Sequence, residues 1–350
     1  MASSSTPLGF GLIGAGMIAD FHAQAIGEIE GARLVGVASR TLESARGLAA
    51  KHGAGFVTDR IEDLVSRPDV QVICVTTPSG AHLEPALAAI AAGKHVVIEK
   101  PIEITTERAD RILDAAAKAG VLVAPIFQSR FGQGAQTVKA ALDAGRLGRL
   151  VLASVFVKWH RPAGYYTGWK GTLDLDGGGV VINQSIHGLD LLQWFVGLPE
   201  EVFAFSTRRV HTGIQAEDTA AATLRYPGGA LGTIEATTAA WPGWSRRIEL
   251  CGEKGSILLE DDRIARWDFA EARPEDDAIR NAKPDEALRS GAGAANAISH
   301  EGHLRQIRNL VEALRNGTPL AIDGREARKA VSLVNALYAS ARADRPMRLS

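Results

Sequence analysis

Gly9-Phe-Gly-Leu-Ile-Gly-Ala-Gly-Met-Ile-Ala-Asp20 decides how this chain is read. Phe10 to Ile13 is a short apolar strand, Gly14-Ala-Gly16 a turn, and Met17 the start of a helix. Gly14, Gly16 and Ala19 fit the pattern G-x-G-x-x-A. Gly14 allows the tight turn, Gly16 lets a pyrophosphate approach the backbone, and Ala19 lets the helix pack close on the strand. The free N–H groups and positive dipole end of that helix then face the phosphates of a dinucleotide. Gly14, Gly16, Met17 and Ile18 are accordingly assigned to a cofactor.

The same alternation continues outward. Ala32 to Ala38, Phe56-Val57, Asp69 to Thr76, Lys94 to Ile98 and Val121 to Ala124 read as strands. Between them lie helical stretches at Glu43–His52, Ile61–Arg67, His82–Ala92 and Thr106–Ala119. Strands separated by helices mean βαβ units and a parallel sheet, whose ligand crevice lies beyond the carboxyl ends of the strands. Ser39-Arg40, Thr76-Thr77-Pro78 and Glu99-Lys100 all stand at such ends, as the glycine turn does. That convergence predicts a Rossmann dinucleotide-binding domain over residues 1–125.

From residue 126 the pattern changes. Leu150–Trp159, Glu201–Thr207, Ala220–Tyr226, Ala230–Ala236, Arg247–Cys251 and Ser256–Glu260 read as strands, with hairpin turns at Pro227-Gly-Gly229 and Gly252-Glu-Lys-Gly255. A helix is expected near Asn183–Val196, and two more near His300–Asn316 and Arg325–Ala343. The whole is an α/β protein: the Rossmann domain, then an α+β domain over 126–350 with a large, mostly antiparallel open sheet. Asp268–Ala297 reads as a long surface excursion.

Composition narrows the function classes. The 350 residues are 46% hydrophobic and 23% charged, the balance of an ordinary globular protein with room for two cores. A net charge of −1 leaves no basic footprint for nucleic acid or an anionic membrane. The polar start Met-Ala-Ser-Ser-Ser-Thr-Pro7 lacks the charged and apolar regions of a signal peptide, and no apolar run reaches the ~18 residues of a membrane span. Cys74 and Cys251 lie in strand-like segments and read as buried thiols, so a cytoplasmic location is expected.

These residues resemble the glucose–fructose oxidoreductase / inositol dehydrogenase / MocA group of nicotinamide-dependent oxidoreductases. The resemblance runs from Phe10 to Leu349. It rests on the glycine turn, on Thr77-Pro78 with His82, and on Gly93-Lys-His-Val-Val-Ile-Glu-Lys-Pro101. It rests further on Gly177-Gly-Gly179 leading to Asn183 and His187, and on Asp323-Gly-Arg-Glu-Ala-Arg328. It implies a hydride transferred to or from a secondary hydroxyl of a sugar, sugar acid, nucleotide sugar or cyclitol. It also implies a homodimer or homotetramer formed through the open sheet. The run from Tyr165 to Gln184 is similar to that of members acting at the 3-position of a pyranose.

Such a transfer needs a group to handle the hydroxyl proton. Lys100, at a strand end, can donate to the substrate oxygen, and in the family it contacts both substrate and cofactor. His187 suits reversible proton transfer near neutrality. Asn183, four residues earlier, shares its helix face. Members that oxidise cyclitols usually carry aspartate where this chain has Asn183, and an amide cannot ionise. Thr77, Pro78, His82 and Glu99 complete the cofactor set with Ser39, Arg40 and Lys100. Arg130, Lys158, Tyr165 and Trp169 are candidates for the substrate, with Asn183 and His187. His300 and His303 without an inward carboxylate make a poor zinc site, so no metal is expected.

The place where Asp or Glu would hold the ribose of NAD carries Ser39-Arg40-Thr41, which favours NADP(H) over NAD(H). Two other readings stay open. One is a glycosidase that recycles a tightly held cofactor; the other is a cofactor-binding sensor without turnover.

Overall fold

A computed structural model describes residues 6–285, 292 and 299–349. The chain divides into two compact units, Met1–Gln128 with His300–Arg328, and Ser129–Ser299 with Lys329–Ser350.

The first unit alternates β1 (Leu8–Ile13), α1 (Met17–Glu28), β2 (Ala32–Ala38), α2 (Leu42–His52), β3 (Phe56–Thr58), α3 (Ile61–Val65), β4 (Val72–Val75), α4 (Leu83–Ala91), β5 (His95–Ile98), α5 (Thr106–Ala119) and β6 (Val123–Pro125). The strands form a parallel sheet in the order β3-β2-β1-β4-β5-β6. The order reverses between β1 and β4, which places a crevice at their carboxyl ends. Period-two alternation on β1 sends Phe10 and Leu12 to one face, where they meet Ala19, Ala23 and Ile26 of α1 in one buried cluster.

The second unit contains α6 (Gln133–Asp143), β7 (Leu150–Lys158), α7 (Val180–Asn183), α8 (Ile186–Val196), β8 (Glu201–Thr207), β9 (Thr219–Arg225), β10 (Leu231–Thr237), β11 (Arg247–Gly252), β12 (Gly255–Glu260), β13 (Arg263–Phe269) and α9 (Asp276–Arg280). Then come α10 (Glu301–Asn316), α11 (Gly324–Ala343) and β14 (Met347–Arg348). The second sheet runs β13-β12-β11-β7-β10-β9-β8-β14 and is antiparallel except where β10 pairs with β7 in parallel. Helix α8 packs on one face of β7: a Cβ on Gly188 would meet the methyls of Val155 and Val157 at 2.9 and 3.6 Å. The opposite face carries charged and apolar residues, among them Lys158, Glu235, Arg247 and Phe156.

The two-domain, parallel-then-antiparallel architecture is as the sequence implies. The boundary differs. Residues 300–328 return to the first unit, because α10 turns Leu304, Ile307, Leu310 and Val311 onto the cluster that holds Phe10 and α1. Each such aliphatic side chain contributes roughly 1.5–3 kcal/mol by leaving water. The helix expected over 183–196 is two pieces, α7 and α8, and strands β13 and β14 were not foreseen. The excursion expected over 268–297 begins in β13 and carries α9. There Asp276 is 1% exposed and accepts from Arg146 at 2.6 and 2.9 Å, from Trp267 Nε1 at 2.7 Å and from the Arg273 N–H. Residues 286–291 and 293–298 of that stretch lie outside the described residues. Among the described residues no helix is long and apolar enough to cross a membrane.

Asp276→Ala would leave the Arg146 guanidinium buried against the Trp267 and Phe269 rings without its carboxylate partner. A loss of about 3–5 kcal/mol in the second unit is expected, read from urea unfolding followed by tryptophan fluorescence. A change below about 1 kcal/mol would show that the pair does not anchor this segment.

Candidate active site

In the first unit the glycine turn closes against β4. Gly14 has φ +110°, and a Cβ there would sit 2.6 Å from Thr76 Oγ1 and 2.8 Å from Thr76 O. The Thr76 N–H and hydroxyl both donate to the Ile13 carbonyl, at 2.9 and 3.0 Å, which locks β4 against the turn. Gly16 caps α1 with extended backbone and no side-chain hydrogen bond, and no protein atom lies within 4 Å of where its Cβ would be. Gly16 and Met17 are exposed, and Ile18 is half-buried. An uncapped helix start with open space at its glycine fits the pyrophosphate of a dinucleotide. Arg40 is exposed directly after β2, and no carboxylate occupies positions 39–41.

Three other residues assigned to the cofactor are otherwise engaged. Thr77 Oγ1 donates to the Ala81 carbonyl, and His82, buried, spans the Thr77 and Pro101 carbonyls at 2.9 Å each. Both brace the loop after β4. Glu99 turns inward: His22 Nε2 and His303 Nε2 meet its Oε1 at 2.9 and 3.0 Å, and its Oε2 accepts the Lys100 N–H at 3.1 Å. Burial pushes the Glu99 carboxyl up, but hydrogen bonds from His22 and His303 outweigh it and hold the group well below the usual carboxylate range. Burial also lowers the pKa of His22. The cluster is therefore an anionic carboxylate that meets two imidazoles on one oxygen and the Lys100 N–H on the other. Lys100 itself is half-buried.

The expectation that the histidines lack an inward carboxylate fails here, since Glu99 supplies one; His22, on the buried face of α1, was not foreseen. His300 instead meets Glu28 at 2.7 Å. The three ligand-type atoms of His22, Glu99 and His303 lie within 4.8 Å of one another. A metal nonetheless fits poorly. Imidazoles binding it through Nε2 would each carry a proton on Nδ1, and neither buried Nδ1 has an acceptor among the described residues. With the proton on Nε2, both rings donate to Glu99.

In the second unit, Gly177-Gly178-Gly179 leads into α7. A Cβ on Gly178 would lie 2.1 Å from Tyr338 Oη, and one on Gly179 1.8 Å from the Glu217 carbonyl. The Glu217 carboxylate takes the N–H groups of Gly179 and Val181 at 3.0 and 2.9 Å and the Tyr338 hydroxyl at 2.9 Å. Between Gly178 and Gln193 every residue is buried except Asn183 and His187. Both are half-buried, Asn183 as the last residue of α7 and His187 as the second of α8. The Asn183 amide donates from Nδ2 to Asp176 Oδ1 at 2.6 Å, and Asp176, 2% exposed, also accepts the Gly171 N–H. A carboxylate only accepts, so the amide must turn its nitrogen to Asp176. An aspartate at 183 would place two carboxylates in contact, which explains the asparagine.

The substrate candidates separate. Arg130 is withdrawn: it is 2% exposed and pairs at both prongs with Asp190, at 2.6 and 2.7 Å. Lys158 is also withdrawn, because strand alternation puts it on the face opposite α8. There it pairs with Glu235 at 2.6 Å and lines a cavity of ≈ 400 Å³ with Phe156, Trp244, Arg247 and Glu260. Tyr165 stays beside the Asn183 face, its hydroxyl accepting from Gln184 Nε2 at 3.1 Å. Trp169 is half-buried, and its carbonyl accepts from the Thr172 hydroxyl at 2.6 Å.

Residues 8–127 match the family model for the oxidoreductase family with an NAD-binding Rossmann fold, and residues 135–258 match the GFO/IDH/MocA C-terminal domain. The chain belongs to the GFO/IDH/MocA family. Its fold is similar to that of the WlbA dehydrogenase from Bordetella pertussis in complex with NADH and UDP-GlcNAcA, with a TM-score of 0.89 and 33% identity over 99% of both chains. It is 35% identical over 200 residues to the 1,5-anhydro-D-fructose reductase of Ensifer adhaerens, a match spanning 56% of this chain and 59% of that one. It is 26% identical to the myo-inositol 2-dehydrogenase of Thermotoga maritima over 97% of this chain and 98% of that one. The protein is thus a GFO/IDH/MocA oxidoreductase with an NAD-binding Rossmann domain.

The histidine–glutamate cluster gives this member a pH dependence. A buried histidine with a lowered pKa stays neutral in the fold while the unfolded chain takes a proton below about pH 6.5. Its stabilising contribution is complete above that pH and is lost as the pH falls. His22→Gln should lower stability at pH 7.5 and make the decline between pH 6.5 and 5.5 shallower, by up to about 1.4 kcal/mol per pH unit. Unfolding midpoints across that range test it, and an unchanged slope would count against the neutral assignment.

Proposed function

We propose that this protein transfers a hydride between a nicotinamide dinucleotide and a secondary hydroxyl of a sugar, sugar acid, nucleotide sugar or cyclitol, with Lys100 and His187 handling the proton. The observation that carries the reading is the exposure of only Asn183 and His187 along an otherwise buried helical stretch. Hydrophobic packing alone leaves no reason for two polar groups, one helical turn apart, to be spared.

When bound, the dinucleotide supplies the hydride acceptor or donor. Gly14, Gly16 and the N–H groups of Met17 and Ile18 hold its phosphates. Lys100, as an ammonium, donates to the substrate oxygen and stabilises charge there. His187 takes or returns the hydroxyl proton, a role that an imidazole can fill in both directions. Asn183 accepts from a substrate hydroxyl through its carbonyl edge, since its nitrogen faces Asp176. Glu217 and Asp176 position this pair without touching substrate. Arg40, in place of a carboxylate, supports NADP(H) through pairing with a 2′-phosphate.

Oxidation of a panel of sugars and cyclitols with NAD and NADP, followed at the NADH band, tests the reaction. Lys100→Met and His187→Gln should each lower kcat by about 100-fold or more, with dinucleotide affinity held within about threefold in the His187 variant. Turnover undiminished in both variants would sink the assignment. For the dinucleotide, Arg40→Ala should weaken NADPH binding by about tenfold and NADH binding by less than threefold. Tighter binding of NADH than NADPH by the unaltered protein would overturn the preference for NADP(H).

A further inference from the structure

Four arginines are buried among the described residues: Arg130, Arg146, Arg161 and Arg246. Three of them face carboxylates. Arg130 pairs with Asp190, Arg146 pairs with Asp276, and Arg246 lies in the field of Asp261, Asp262 and Asp190. Arg161, 4% exposed, is the exception. Its Nη1 donates to the carbonyls of His160 and Ala292, at 2.8 and 3.2 Å. Its guanidinium lies 5.0 Å from the Trp159 ring centre and 5.3 Å from that of Tyr165. Burial lowers its pKa, and the groups that oppose this are Tyr165, which also shares a side-chain hydrogen bond with it, and Tyr166, neither of them a carboxylate.

A buried cation set between aromatic rings and neutral carbonyls lacks the counter-charge that its desolvation demands. The hydrogen-bond tally points the same way. Arg161 Nε–H is buried with no acceptor among the described residues, and so is Trp159 Nε1–H two residues earlier. Lys170 Nζ lies 3.8 Å from the centre of the Tyr165 ring and adds a second positive charge nearby. Tyr165 in turn accepts from Gln184, the residue after Asn183. Two buried donors that lack acceptors and two cations therefore gather within a few side chains of Asn183.

We propose that Arg161 and Trp159 form an anion subsite that receives a carboxylate of the substrate, so that the substrate is an acidic sugar. With Nη1 held by carbonyls and Tyr165 also hydrogen-bonded to the guanidinium, Nε–H is the donor left without an acceptor among the described residues, and a carboxylate oxygen is the acceptor that suits it. The Trp159 N–H is a further donor of the same set. Tyr165 lies between this subsite and Gln184, which places the charged end of the sugar beside the Asn183–His187 face. The proposal rests on that face receiving the sugar.

The test compares binding of matched sugars to the NADH-loaded protein by titration calorimetry, with no turnover required. UDP-glucuronate is set against UDP-glucose, and D-glucuronate against D-glucose and D-glucose 6-phosphate. The unaltered protein should bind the acid at least about 30-fold more tightly than its neutral counterpart in one of the two pairs. Arg161→Gln should reduce that preference to within about threefold while leaving NADH affinity unchanged, which also reports folding. Arg161→Lys should keep part of the preference, and Trp159→Phe, which retains the ring, should lose several-fold.

Equal binding of acid and neutral sugars, binding of neither, or a preference that survives Arg161→Gln would each overturn the subsite. Tighter binding of the 6-phosphate than of glucuronate would overturn the carboxylate assignment. Failure of the hydride-transfer reading shows instead in the Lys100 and His187 variants, which this measurement does not use.

Discussion

A carboxylate taken out of water must be met by donors, and the polar architecture of each unit is built around one that is. Removing the hydration of a carboxylate costs several kcal/mol even after the protein relaxes. Glu99 recovers this from two imidazoles and the Lys100 N–H; Glu217 recovers it from two peptide N–H groups and the Tyr338 hydroxyl. In both places backbone N–H groups are among the donors: that of Lys100 in the first unit, and those of Gly179 and Val181 at the entry to α7 in the second. The need to satisfy the carboxylate therefore fixes the backbone of Lys100 in one unit and the entry to α7 in the other. The two acids differ in what burial leaves. Two imidazole donors keep Glu99 well below its ordinary range, whereas burial raises Glu217 despite its hydrogen bonds.

Close approach is the second constraint, and it accounts for the glycines that matter. Gly14 brings the first turn against Thr76, and Gly178 and Gly179 bring the second against Tyr338 and Glu217. A methyl group at any of these would overlap its neighbour. Gly16 is different, because its Cβ would meet no protein atom. The space beside it is open, as a phosphate-binding turn requires.

These constraints divide what the sequence could tell from what it could not. Period-two strands, helix-length intervals and the glycine turn are local signals, and they led to the parallel sheet and its crevice. Asn183 and His187 were picked out as a four-residue interval on one helix, whereas the chain breaks between them into α7 and α8. The destination of α10 was not legible, since an apolar stripe such as Leu304, Ile307, Leu310 and Val311 says that a helix packs but not on which sheet. Lys158 and Arg130 show the same limit from the other side. Both are cationic residues near a promising stretch, but strand parity sent one to the far face and Asp190, sixty residues on, claimed the other. His22 carried no signal at all, because its partners Glu99 and His303 are brought to it only by folding.

The asparagine at 183 joins these threads. Read as sequence, it looked like the loss of an ionisable partner for His187. In the structure a carboxyl group is present, but it is that of Asp176, held by the Gly171 N–H and the Asn183 amide. The amide must present nitrogen to that carboxylate, so its carbonyl is turned to the other edge as an acceptor of fixed orientation. An aspartate at 183 beside Asp176 would share one proton between two acids or force them apart. The chain therefore trades an ionisable group next to His187 for an oriented one. The acid at Asp176 thus reaches this stretch through its hydrogen bond from Asn183, where it sets the orientation of the amide.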